Sequence, residues 1–129
     1  MTNILGIDLG ERKTGVAMCV GKLAEPLMVV RHNSEIELIE KLTVLAKEEE
    51  IEEIIVGVSE GEMGRRQRAF GQKLETETSV PVKYWDETLS TKDAQRMSIE
   101  AGKGRKKRRE MEDAYAATVM LQAWVDENI

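Results

Sequence analysis

Residues 3–17 read N-I-L-G-I-D-L-G-E-R-K-T-G-V-A. An apolar run (Ile4, Leu5, Ile7) meets an acid at Asp8, passes Gly10 and a polar tip (Glu11, Arg12, Lys13, Thr14), then reaches Gly15 and a second apolar run through Val20. This is a hairpin with a carboxylate set into its first strand. A buried acid without a partner costs several kcal/mol. Asp8 therefore sits exposed at a strand end, or it is compensated by a metal ion or a phosphate-binding loop.

Working outward, residues 3–9 and 14–20 form two strands. Gly21 turns the chain into a third, over Ala24–Arg31, and the three suggest an antiparallel meander. Ser34 and Glu37 form a capping box that opens a helix reaching about Glu50. Its apolar positions are Ile36, Ile39, Leu42, Val44, Leu45 and Ala46. The compact run Glu53–Val58 reads as a strand buried on both faces. Ser59–Gly64 reads as a loop and residues 65–78 as a helix weakened by Gly71. Pro81–Glu87 is a fifth strand ending in two acids. Ser90 and Asp93 open a helix to about Ala101, and Glu110–Asp126 is a final amphipathic helix. In it Met111, Tyr115, Val119, Gln122 and Val125 share one side, with Ala114, Ala117, Leu121 and Trp124 close by. The order implies an α/β fold, a mixed sheet with helices on its faces, in a single domain over 1–129.

Composition narrows the class. The 129 residues suffice for a real core. No run approaches the roughly 18 apolar residues of a membrane span, and the N-terminus lacks the pattern of a signal peptide. The lone Cys19 cannot form an internal disulfide, which suits the cytoplasm. With no histidine near it in sequence, it reads as a small buried strand residue. His32, the only histidine, follows the third strand and reads as a surface residue. The net charge of −5 argues at first against a polyanionic partner. Yet Lys103, Arg105, Lys106, Lys107, Arg108 and Arg109 form a positive run without a single acid, and such asymmetry says more than the total. Aromatic residues are scarce, so base-stacking platforms are not expected; Tyr84, Trp85, Tyr115 and Trp124 read as core or rim.

Three acids stand in unusual settings. Asp8 lies in the first strand, Glu87 ends the fifth, and Asp113 precedes Ala114, Ala116 and Ala117, small residues that let a helix approach a sheet. Each has a plainer reading: a turn former for Asp8, an exposed strand end for Glu87, and for Asp113 an acid in a helix's first turn, suited to the dipole. Together they match the all-oxygen ligand set that hard divalent cations take, and the arrangement used in two-metal phosphodiester hydrolysis.

Four segments then carry a resemblance: I-L-G-I-D-L-G-E-R-K-T-G-V-A, E-I-I-V-G-V, W-D-E-T-L-S-T-K-D-A and E-D-A-Y-A-A-T-V-M-L-Q. In order and spacing the chain resembles the YqgF family, small RNase H-like proteins described as Holliday junction resolvases or as nucleases maturing precursor 16S ribosomal RNA. The resemblance implies an RNase H-like fold: a five-stranded mixed sheet, order 3-2-1-4-5, with the second strand antiparallel to the rest. It implies a hydrolase with Asp8, Glu87 and Asp113 as catalytic residues and as ligands of two Mg²⁺ (or Mn²⁺) ions. Two departures stand out: Thr88 replaces the family's usual arginine, and Gly57-Val58-Ser59 replaces its usual G-L-P.

An acidic site needs cations to hold a polyanion. The candidates are Lys103, Arg105, Lys106, Lys107, Arg108 and Arg109, then Arg65, Arg66 and Arg68, then Arg12 and Lys13. The expected partner is nucleic acid, with structured RNA favoured over a four-way DNA junction, carried in ribosomal precursor particles, and with no membrane. The expected state is a monomer or weak homodimer. A non-catalytic nucleic-acid-binding module on the same fold is the rival class. An actin-like nucleotide clamp, which shares the hairpin, would need two such domains.

Overall fold

Strand β1 (Asn3–Asp8) alternates between two environments. Leu5 and Ile7 join one apolar cluster, Ile4 joins another, and Gly6 faces Leu121 on the side of Ile4. A strand whose residues pack on both faces belongs in the middle of a layered fold. The computed structural model, which describes residues 2–86 and 105–129, with side chains in the second segment from Glu110 on, places it there. The elements are β1, β2 (Lys13–Val20), β3 (Leu23–Arg31), α1 (Glu35–Glu48), β4 (Glu53–Val58), α2 (Gly61–Thr78), β5 (Val82–Asp86) and α3 (Arg105–Asn128). The sheet order is β3-β2-β1-β4-β5. β1 pairs antiparallel with β2 and parallel with β4; β2 pairs antiparallel with β3, and β4 parallel with β5. This is the RNase H-like sheet that the resemblance implies.

Helices α1 and α2 cover one face. Leu38, Leu42 and Leu45 of α1 and Phe70 and Leu74 of α2 pack with Leu5, Ile7, Val16, Ile54 and Val56. Helix α3 covers the other, its Ala117, Met120, Leu121, Trp124 and Val125 meeting Ile4, Ala17, Cys19 and Ile55. Edge strand β3 carries a register irregularity where Val16 pairs with Met28 and Ala17 with Pro26, a position that suits proline at a sheet edge.

Several boundaries differ from the sequence expectation. α2 starts at Gly61 rather than residue 65. Its glycines suggested a loop, but a side chain at Gly64 would run into the Ser59 carbonyl, and one at Gly71 would strike the Tyr84 ring. These glycines are contact points within a helix. α3 is helical from Arg105 rather than Glu110, so most of the basic run lies in the helix and not in a loop. Arginine and lysine are good helix formers, and their uniform charge hid that propensity. In α1, Ile36 and Val44 are exposed and Leu38 is buried; apolar residues there cover more than one face, so spacing alone did not choose. The expected Ser34–Glu37 cap is present: Ser34 Oγ accepts from the Glu37 amide, and a Glu37 carboxylate oxygen accepts from the Asn33 amide. The strand end at Glu87 and the helix expected from Ser90 lie outside the described residues.

The parallel strands β1, β4 and β5 end on the same edge of the sheet, at Asp8, Val58 and Asp86. Antiparallel β2 begins there at Lys13, opposite Arg31 at the end of β3. The approach of α3 to this edge depends on Gly15, where a Cβ would collide with the backbone carbonyl of Asp113. Gly15→Ala is expected to destabilise the protein by about 1–3 kcal/mol, the range for overpacking a tight contact. The check is a lowered urea midpoint with an unchanged denaturant slope.

Candidate active site

Asp8 is the last residue of β1, and its register partner on β2 is Gly15. Opposed residues of an antiparallel pair lie only about 4.5–5.5 Å apart at Cα and project to the same face. Parity fixes that face. Ile4 and Gly6 point toward α3, and Asp8 follows them at the same spacing. The backbone of α3 at Asp113 and Ala114 rests on Gly15. Asp8 and Asp113, more than a hundred residues apart in sequence, thus both neighbour Gly15 at one end of the sheet.

Asp113 lies more than two turns into the described α3. Its placement is therefore not that of a first-turn acid answering the helix dipole. Its Oδ2 is buried, makes no hydrogen bond among the described residues, and has Lys13 Nζ at 3.4 Å. A carboxylate oxygen so placed is suited to a cation, and the lysine supplies one from the hairpin tip. The small residues after Asp113 serve the approach in part: Ala114 and Ala117 are buried, whereas Ala116 is half-buried. Glu87 lies outside the described residues, one peptide beyond Asp86 at the end of β5. Among the described residues no three acidic, histidine or cysteine side chains gather as a metal site; of the expected three, Asp8 and Asp113 lie on backbone that neighbours Gly15.

The hairpin tip beside Asp8 is held by a network that the sequence did not reveal. The Gly10 amide donates to Thr14 Oγ1 at 3.3 Å, Thr14 Oγ1 bonds His32 Nε2 at 2.9 Å, and the His32 amide donates to the Arg12 carbonyl at 2.9 Å. His32 is therefore not the expected surface residue: it is 6% exposed, under the tip. A lone histidine after an exposed strand gives no sign of this, because its partner Thr14 belongs to another hairpin arm. Burial pushes the imidazole below its ordinary pKa; Glu37 opposes the shift and Lys41 adds to it.

The cationic candidates fall into separate places. Arg12 and Lys13 are exposed at the tip, although Lys13 pairs with Asp113. Arg65 and Arg66 are exposed on α2, while Arg68 lies over the Tyr84 ring at 5.1 Å. Arg105, Lys106, Lys107, Arg108 and Arg109 form the first turns of the described α3, and Lys103 lies outside the described residues. A cleft of about 600 Å³, not foreseen from the sequence, opens between the tip and the amino ends of α1 and α2; Gly10, Arg12, His32, Asn33 and Arg66 line it. Cys19 is buried as expected, and burial raises its pKa, so it is no nucleophile.

The sequence profile of the RuvX family, described as Holliday junction resolvase, matches residues 2–127. The chain belongs to the RuvX/YqgF family. Among its relatives, a Clostridium novyi protein is 37% identical over 95% of this chain and 97% of its own length. One from an Anaeromyxobacter strain is 38% identical over 95% of each chain. Both bear the name "Putative pre-16S rRNA nuclease". The fold is similar to that of T. thermophilus RuvC, solved in complex with Holliday junction substrate (TM-score 0.61, 14% identity, covering 98% of this chain and 96% of that one). It is also similar to the fowlpox virus resolvase solved with junction DNA (TM-score 0.64, 9% identity, covering 98% of both). Family and neighbours agree on the RNase H-like fold.

The buried His32 makes a prediction about pH. Its folded-state pKa is lowered, so the unfolded chain binds the proton more readily. The stability it contributes is full above the ordinary histidine range near 6.5 and falls as pH drops through that value toward the folded pKa. Urea unfolding between pH 7.5 and 5 is expected to show this loss, and His32→Gln to flatten it. The histidine NMR titration midpoint is expected below 6.5.

Proposed function

We propose that the protein is a metal-dependent nuclease that hydrolyses phosphodiester bonds, acting at the 5′ end of precursor 16S ribosomal RNA. The observation that carries this is the seating of Asp113 on Gly15, directly across from Asp8, with a buried carboxylate oxygen that lacks a hydrogen bond. Carboxylates alone form an oxygen donor set that fits Mg²⁺ or Mn²⁺, and Asp8, Glu87 and Asp113 are the residues that would hold two such ions. Bound there, the ions would supply an activated water and stabilise charge on the leaving oxygen. The names borne by the relatives support RNA as the substrate.

The chain's own residues have roles that follow from their positions. Lys13 neutralises Asp113 and moderates the repulsion between two acids that share one edge. The Thr14–His32 network holds the loop that follows Asp8, so the carboxylate keeps one orientation. Arg105 to Arg109 place positive charge at the amino end of α3, where the helix dipole is already positive. A polyanion lying there relieves that mismatch and gains by counterion release. Thr88, standing where the family usually has arginine, leaves the chain one cation fewer. A rival module that only binds nucleic acid has no use for acids gathered at the strand ends. Cleavage of four-way DNA is the second reading, favoured by the description of the family.

The test incubates the protein and Asp8→Asn with labelled precursor 16S RNA, unrelated structured RNA and a four-way DNA junction, in Mg²⁺ or Mn²⁺. Loss of a metal ligand that supports several kcal/mol of transition-state stabilisation should lower the RNA cleavage rate about 100-fold or more. Cleavage that persists in Asp8→Asn, or binding with no metal-dependent cleavage, would refute the nuclease. Preferential cutting of the junction would replace RNA by DNA as the substrate.

A further inference from the structure

The cleft between the hairpin tip and the amino ends of α1 and α2 lies on the opposite face of the sheet from α3, yet it borders the loop that follows Asp8. Its volume of about 600 Å³ is several times what an inorganic anion fills and falls within the range of small-ligand sites. Two exposed arginines from different elements, Arg12 on the tip and Arg66 on α2, line it, as do the apolar side chains of Leu9, Leu38 and Met63. Of the acids at its wall, Glu35 is engaged by Lys73 at 3.0 Å and Glu11 is exposed on the tip.

His32 is the buried polar group of this cleft. Thr14 Oγ1 accepts from the Gly10 amide and is itself fully buried, so its single hydroxyl hydrogen is best placed on His32 Nε2. With Nε2 accepting, the one N–H of the neutral imidazole is on Nδ1. Nδ1 is buried and has no hydrogen-bond partner among the described residues. A buried donor without an acceptor is uncommon in a folded protein, and this one belongs to a residue that lines the cleft. The amino end of α1 is already answered by Glu35 and Glu37; the cations and the imidazole carry the argument.

We propose that this cleft is a nucleoside-phosphate site, with Arg12 and Arg66 directed to the phosphate, beside the buried imidazole of His32, and Leu9 and Met63 to the base. Arginine suits a phosphate because its planar fork of donors matches the oxygens and stays charged. An apolar wall accepts the face of a base without reading its identity. The site deepens the nuclease reading, and rests on it, where the nucleotide belongs to a substrate strand: one nucleotide leaves the strand on the α1/α2 side while its neighbours run along the acidic edge. The same chemistry would also take a free nucleoside monophosphate.

The test is calorimetric titration in EDTA, so that binding is measured apart from cleavage. The probes are adenosine and uridine 5′-monophosphates, inorganic phosphate and a short single-stranded RNA, titrated into the wild type, Arg66→Ala and Arg12→Ala. Both monophosphates are expected to bind more tightly than phosphate, and either substitution is expected to weaken them at least tenfold without lowering the melting temperature. The His32 Nδ1 resonance is expected to shift on binding. Parallel weakening of the RNA identifies a substrate nucleotide as the occupant; weakening of the monophosphates alone identifies a free nucleotide. No monophosphate binding, binding no tighter than phosphate, or binding indifferent to both substitutions would overturn the site. A protein that cleaves RNA but fails this titration keeps the nuclease and loses the cleft; one that binds monophosphates but never cleaves keeps the cleft and loses the nuclease.

Discussion

Among the described glycines the tightest approach is that of the α3 backbone at Asp113 to the bare α-carbon of Gly15. A second contact sets the side chain of Leu121 against Gly6, about two turns further along the helix. Together they hold α3 against the central strands at a distance that no larger residue permits. Because Gly15 is the register partner of Asp8, the first contact also decides which side chain of α3 stands beside that acid. Packing and chemistry share one determinant here: the helix cannot slide by a turn without losing both the fit at Gly6 and the pairing of carboxylates.

The same edge concentrates charges of both signs. Asp8, Asp86 and Asp113 lie among Lys13, Arg12 and Arg31, with the basic turns of α3 close in sequence. Like charges brought together destabilise one another unless a counter-charge is near. Lys13 meets that need for Asp113, and Lys41 and the Asn33 amide hold Glu37 below the usual carboxylate range on the neighbouring loop. The buried Thr14–His32 pair then fixes the tip mechanically rather than electrostatically, since burial disfavours the charged imidazole. Rigid support for a loop next to an acid is what a precise site requires.

Much of this was legible in the residues, and the failures have physical causes. The unbroken apolar run of β4 announced a strand buried on both faces, and the order of strands and helices announced a sheet with helices on its faces. Asp8 and Asp113 stood out as candidates because an acid in an apolar strand and an acid followed by small helical residues are unusual settings. The role of Gly15 was not recognisable: the sequence places it in the second strand, and only the fold shows that the backbone of a helix rests on it. His32 was misplaced because its partners, Thr14 and Arg12, come from a separate hairpin arm. The start of α3 was hidden by charge, since a run of arginine and lysine looks like a loop until the apolar stripe that anchors it is seen further on. The cleft could not be read at all, for it is assembled from three segments that are distant along the chain.

The central claim is that Asp8 and Asp113 act on one cation, brought together by Gly15. Titration of Mn²⁺ followed by electron paramagnetic resonance measures this without reference to any substrate. The account predicts that Asp8→Asn and Asp113→Asn each weaken Mn²⁺ binding at least about tenfold, a loss of about 1.4 kcal/mol, with the protein still folded. Binding left unchanged by either substitution would contradict it.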